Sequence, residues 1–296
     1  MVLANVFAFH WYSRAADQMQ NPDQQRYARA RVDAPAIYGM GCDDWYHSDR
    51  VQVCTFGSKD ATHTAVLMGD SIAGQWFPTV AKAFDRPGWR LLVMTKSACP
   101  MVNQPFFYGR IGREYTECST WRKHVLDQLA VIKPDVVLLS SAPTYDFTQA
   151  QWVDGATDVL KAVSASSTHI YVLRGTPHLP FDGPDCLAEH NGRPNWFGLQ
   201  RSCRALSDDE HTDQVYAWLQ QAGSRFQNVK TLDMNDLICP QGECDAERQG
   251  LVVFRDSQHM TATFAASLGS ALQSRMSLNA LSVDSHAAEG TFRNSN

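Results

Sequence analysis

Residues 64–84 read TAVLMGDSIAGQWFPTVAKAF. The first five form a short apolar, β-prone run that stops at Gly69, Asp70 and Ser71. Ala73, Trp76, Phe77, Val80 and Ala83 then recur at helical spacing, which predicts a strand, a tight turn and a helix. Such a turn puts Ser71 at the carboxyl end of a strand and in the first turn of a helix. Unpaired backbone N–H groups and the positive end of the helix dipole gather there. A developing oxyanion would be stabilised at that spot.

A serine hydroxyl is a weak nucleophile until a base takes its proton, so a histidine with an orienting carboxylate is needed. Residues 251–272, LVVFRDSQHMTATFAASLGSAL, supply Asp256 and His259 three positions apart. They lie between an apolar run and a helix that Thr261 can cap. One loop can therefore carry both groups to the sheet edge that holds Ser71. His178, in the proline-rich loop GTPHLPFDGPDCL, is a rival base that the pattern does not favour.

Gly69-Asp70-Ser71 after the first strand, with Asp256-x-x-His259 before the last helix, resembles the SGNH (GDSL-like) hydrolase superfamily. The nearer resemblance is to the SGNH domain of membrane acyltransferases of family three. It rests on GDSxxxQW (residues 69–76), TxSACP (95–100), PDVVLL (134–139), the late Cys239 and Cys244 pair, and the DxxH block. It covers roughly residues 32–276. It implies an α/β, flavodoxin-like three-layer sandwich whose central parallel sheet has about five strands in the order 2-1-3-4-5. Ser71 would then sit beside the topological switch point. The predicted strands alternate with helices, which by itself argues a parallel sheet covered on both faces.

The roles implied are Ser71 as nucleophile, His259 as base and Asp256 as the group that orients it, with no cofactor. Superfamily members complete their oxyanion hole with a glycine N–H from the second block and an asparagine side chain from the third. Here the second block, TKSACP, has Ser97 and no glycine, and the third, SSAPTYDF (140–147), has no asparagine. The hole is therefore expected to use the Ser71 N–H and a donor of Ser97, backbone or hydroxyl, with Ser141 and Tyr145 as alternatives. Gln75 and Tyr145 are expected to contact substrate, and Asp70 to brace the turn.

With 44% hydrophobic and 19% charged residues among 296, the chain can bury a sizeable core, and a net charge of −5 gives no basic face for nucleic acid. Eight cysteines point to an oxidising compartment and allow 105 pairings. Nearest-neighbour pairing, Cys42 with Cys54, Cys99 with Cys118, Cys186 with Cys203 and Cys239 with Cys244, would staple four local loops. Cys42, Asp43, Asp44, His47 and Cys54 are the one metal-like cluster, but no C-x2-C spacing supports it, and no metal is expected.

The organisation expected is a lead-in and stapled cover at 1–60, the SGNH domain at 61–276 and a disordered Ser/Ala/Asn-rich tail at 277–296. The amino terminus is apolar for only about ten residues, short of the ~18 of a membrane helix. It reads as the end of a preceding membrane helix, a truncated signal or a packed helix. The loop at 95–117 follows the second strand and is a candidate substrate wall.

The function implied is an extracytoplasmic, periplasmic or extracellular, O-acyl (acetyl) transferase or esterase acting on a surface glycan. Its partners would be that glycan and a fused or separate membrane acyltransferase domain supplying the acyl group, with no nucleic acid. A long-chain lipase or thioesterase is one alternative. The other is a non-catalytic glycan-binding module that stacks sugars on Trp45, Phe106, Tyr108 and Trp196.

Overall fold

The structure, a computed structural model, describes residues 20–191, 202–207 and 210–277. Trp196, the apolar first residues and the tail beyond 277 lie outside the described residues. Among those described, a six-stranded sheet is built from β1 (Cys54–Gly57), β2 (His63–Gly69), β3 (Trp89–Thr95), β4 (Val136–Ser140), β5 (His169–Leu173) and β6 (Val229–Leu232), in the order β1-β3-β2-β4-β5-β6. The five strands from β2 onward are mutually parallel and follow the 2-1-3-4-5 order. The sixth is the addition: β1 pairs antiparallel with β3 and closes that edge. The segment read as a cover up to residue 60 thus contributes a strand to the sheet.

The strands are continuous apolar runs because both faces are covered. Along β2, Ala65 and Leu67 point into one core and Val66 and Met68 into the other, all fully buried. The first core is filled from α3 (Phe77–Ala83), α8 (Ala262–Ser267) and α9 (Gly269–Met276), through Val80, Phe264 and Leu272. The second is filled from α4 (Thr116–Ile132), α5 (Gln149–Ser164) and α7 (Glu210–Gly223), through Trp121, Trp152 and Leu219. These layers make the expected three-layer sandwich. Two further helices, α1 (Pro22–Val32) and α6 (Gly183–His190), pack on each other at its margin.

Register sets where chemistry can occur. Gly69, Thr95 and Ser140 lie side by side at the carboxyl ends of β2, β3 and β4, and Leu173 pairs with Ser140. The loops after these strands leave from one edge, where β2 sits between neighbours whose connections run in opposite directions. Four disulfides, Cys42–Cys54, Cys99–Cys118, Cys186–Cys203 and Cys239–Cys244, close four local loops. No described helix is long and apolar enough to cross a membrane.

Candidate active site

Ser71 opens a short helix, α2 (Ser71–Gln75), immediately after β2. The turn requires Gly69: its φ is +140°, and a Cβ there would stand 2.1 Å from the Ser140 carbonyl oxygen. Asp70 is the N-cap and is fully buried. One of its oxygens accepts from the Ile72 N–H at 2.8 Å; the other accepts from the Ala142 N–H and the Tyr145 hydroxyl, each at 2.8 Å. Asp70 therefore ties the serine turn to the loop after β4. Burial pushes its carboxyl up to about 6, against the pull of those donors.

The second half of the site comes from a loop pinched at its base by a bridge between Phe254 and Met260 and by the Arg255 N–H donating to the His259 carbonyl. Inside it, one Asp256 oxygen accepts from the Gln258 and His259 N–H groups at 2.8 and 2.7 Å. The other lies 2.8 Å from His259 Nδ1, and His259 Nε2 lies 3.0 Å from Ser71 Oγ, a contact that joins residues 188 apart in sequence. Burial alone would raise the Asp256 carboxyl, but its hydrogen bonds and the charge of His259 more than reverse this and hold it at about 2. A carboxylate only accepts, so Nδ1 carries the ring proton and a neutral His259 offers Nε2 to the serine O–H.

Gln75, expected to touch substrate, is fully buried instead. Its carbonyl accepts from the Met260 N–H at 2.7 Å and its amide donates to Thr176 Oγ1 at 2.9 Å, and Thr176 in turn donates to the Gln258 carbonyl. Gln75 thus clamps the serine helix to the histidine loop from beneath. Tyr145, the other expected contact, has its hydroxyl engaged by Asp70. His178 is bonded to the Gln258 side chain.

Ser97 departs from expectation in the same way. Its N–H and its hydroxyl both donate to the Asp43 carboxylate, at 3.1 and 3.0 Å. The neighbouring Lys96 is fully buried, and its ammonium meets Asp44 at 3.0 Å, the Ser48 carbonyl at 2.6 Å and the Trp45 carbonyl. All three ammonium donors are therefore met. Asp43 and Asp44, read with the cysteines as a metal-like cluster, hold the loop after β3 to the loop of the first disulfide. Nothing in the sequence joins these positions, because each pair is about fifty residues apart.

The cavity over Ser71 has a volume of about 580 Å3. Ser97, Ala98, Asp256, Gln258 and His259 line it with Ser71, and Tyr38, Trp45, Tyr108 and Arg255 complete its walls. Trp45 donates its indole N–H to the Tyr108 hydroxyl at 3.1 Å, and the Arg110 guanidinium lies 4.3 Å from its ring centre. Tyr38 and Arg255 went unnoticed as site residues, while Trp45 entered only as a sugar-stacking residue and Asp43 only as part of a metal-like cluster. The expected wall at 95–117 does contribute, through Ser97, Ala98 and Tyr108.

A family model described as the SGNH domain fused to AT3 domains matches residues 41–274. Among solved structures, the periplasmic domain of the lipopolysaccharide acetyltransferase of Salmonella ser. Paratyphi A superposes with a TM-score of 0.58 at 14% identity, over 74% of this chain and 85% of that one. An acetylxylan esterase from Geobacillus stearothermophilus, studied as a catalytic mutant, matches at 10% identity and TM-score 0.39, over 73% and 94%. A putative GDSL-like lipase from Bacteroides ovatus matches at 13% and 0.42, over 72% and 52%. No curated protein sequence matches the chain.

Proposed function

The chain belongs to the SGNH domain family, and from that premise we propose that it is an extracytoplasmic serine O-acyltransferase or esterase that moves an acetyl group onto or off a bacterial surface polysaccharide. The observation that carries this reading is the hydrogen-bonded line from Asp256 through His259 to Ser71, opening into a cavity walled by aromatic and polar side chains. Ser71 Oγ attacks the ester carbonyl while His259 Nε2 takes its proton. The imidazolium so formed is held by the ionised Asp256, and later returns the proton to the leaving oxygen. A sugar hydroxyl or water then attacks the acyl-enzyme, with His259 again as base.

The surroundings support a short acyl group and a polar acceptor. Trp45 and Tyr108 present aromatic surface of the kind on which sugar rings stack, whereas a long acyl chain would call for a deep aliphatic channel. A membrane acyltransferase domain, fused or separate, is the proposed source of the acyl group, in keeping with the family's fusion to AT3 domains.

The test is release of p-nitrophenol from p-nitrophenyl acetate by the wild type and by Ser71→Ala, with and without oligosaccharides, and with mass spectrometry of the sugars. Turnover lost by about 10^5-fold or more in Ser71→Ala is expected. Acetyl appearing on sugar would mark a transferase; acetate alone would mark an esterase. No Ser71-dependent turnover of any short ester would sink the reading and turn attention to long-chain substrates or to a binding module.

A further inference from the structure

Two donors in the walls of the cavity over Ser71 have no acceptor among the described residues. The Tyr38 hydroxyl is buried and, among the described residues, makes no hydrogen bond of ordinary geometry, although the Ser97 side chain, whose hydroxyl proton goes to Asp43, lies close enough to influence it. The Arg255 Nε–H also has no partner among them. Both side chains line the cavity over Ser71. Leaving a buried polar group unpaired is costly, so two in one pocket call for an explanation. Both groups can donate, and an acceptor oxygen brought in by a bound acyl group would meet them.

The other candidates for such a role are already engaged. Ser97 gives both its donors to Asp43, and Tyr145 gives its hydroxyl to Asp70. Ser141 is not among the residues that line the cavity, and its hydroxyl oxygen receives the Met101 N–H. Tyr38 is placed by the serine helix itself. Gly74 lies three residues after Ser71, on the same helix face, and a Cβ there would come within 2.7 Å of the Tyr38 hydroxyl oxygen. The absent side chain is what lets that hydroxyl lie against the helix that carries Ser71. Burial, and the nearby Asp43 carboxylate, keep the phenol protonated and able to donate.

Resting on the reading of Ser71 as nucleophile, we propose that the Tyr38 hydroxyl is a catalytic hydrogen-bond donor to the acyl oxygen, completing an oxyanion hole begun by the Ser71 N–H. As the Ser71 Oγ–carbon bond forms, the proton of Oγ moves to His259 Nε2 and the carbonyl π pair moves onto oxygen. Tyr38 stabilises that oxygen without transferring its proton. Collapse restores the double bond and expels the leaving oxygen, which takes the proton from His259.

The experiment uses the full chain with p-nitrophenyl acetate. Tyr38→Phe is expected to lower kcat by about 10^2-fold with KM little changed, as for loss of one oxyanion donor. Its thermal midpoint should equal or exceed the wild type's, because the variant removes an unmet buried donor. Gly74→Ala, which pushes the hydroxyl aside, should lower both kcat and the midpoint. The double variant should be no slower than Tyr38→Phe alone and more stable than Gly74→Ala. Full kcat in Tyr38→Phe beside Ser71-dependent turnover in the wild type would overturn the Tyr38 assignment alone. Absence of Ser71-dependent turnover would overturn the nucleophile reading and this one together.

Discussion

The two sides of Ser71 are built differently. On one side Asp256 and His259 stand three residues apart on a single loop, whose backbone also donates to the Asp256 carboxylate. On the other, the wall is assembled from the disulfide loop, the loop after β3 and a short helix at Ala36–Gly39, held together by Asp43 on Ser97 and Lys96 on Asp44. The first side is a local motif, and the second is a tertiary agreement. A local motif survives drift in everything around it, whereas a tertiary wall can be rebuilt with other residues.

The contrast can be strained experimentally, beginning with the largest effect. Asp256→Asn keeps the shape of the loop but favours the wrong imidazole tautomer, and kcat should fall by about 10^4-fold with the fold intact. A loss below tenfold would mean that backbone, not Asp256, orients His259. Next comes Lys96→Met, which leaves the Asp44 carboxylate and two carbonyls without their donor. A loss of about 3 kcal/mol in denaturant unfolding is expected, as for one partner removed from a buried pair. An unchanged midpoint would show that the opposite wall does not depend on this tie.

A comparable effect belongs to pH. The Asp70 carboxyl lies at about 6 in the folded chain against an ordinary 3.8, so between those values the native state holds a proton that the unfolded chain has released. Stability should therefore fall as pH rises from about 4 to 6, by about 3 kcal/mol in all. Asp256 acts in the opposite sense and lower down. Its value is depressed to about 2, so its contribution is whole above 3.8 and disappears as pH falls toward 2. Unfolding followed from pH 3 to 7 in the wild type and in Asp70→Asn separates the two, since only the wild type should show the decline between 4 and 6.

The smallest change is the sharpest discriminator. Ser97→Ala should slow turnover less than tenfold, because the hydroxyl it removes already serves Asp43. A loss near 10^2-fold would return Ser97 to the oxyanion hole and remove the asymmetry between the two sides.

Legibility followed the same division. The parallel strands were readable from apolar runs and the pairing of Asp256 with His259 from their short spacing, whereas the strand order and the meeting of that pair with Ser71 followed from the resemblance to the SGNH superfamily. Cys54–Gly57 was missed as a strand: four residues, only half of them partly buried, show no periodicity until β3 pairs with them. The clamp made by Gln75 was not legible because a buried glutamine and a substrate-binding one look alike in sequence, and only its bonds to Met260 and Thr176 reveal it. Ser97 could not be judged without Asp43, which no spacing links to it.

The contact between His259 and Ser71 spans 188 residues, and a chain is made amino end first. The strand and turn that present the serine are complete long before the base exists. Any product of interrupted synthesis or of proteolysis that ends before residue 259 keeps Ser71, the proposed nucleophile, and lacks the proposed base. On the proposed reading, the order of the sequence also means that the ester-cleaving centre becomes competent only when nearly all of its enclosing domain has been delivered.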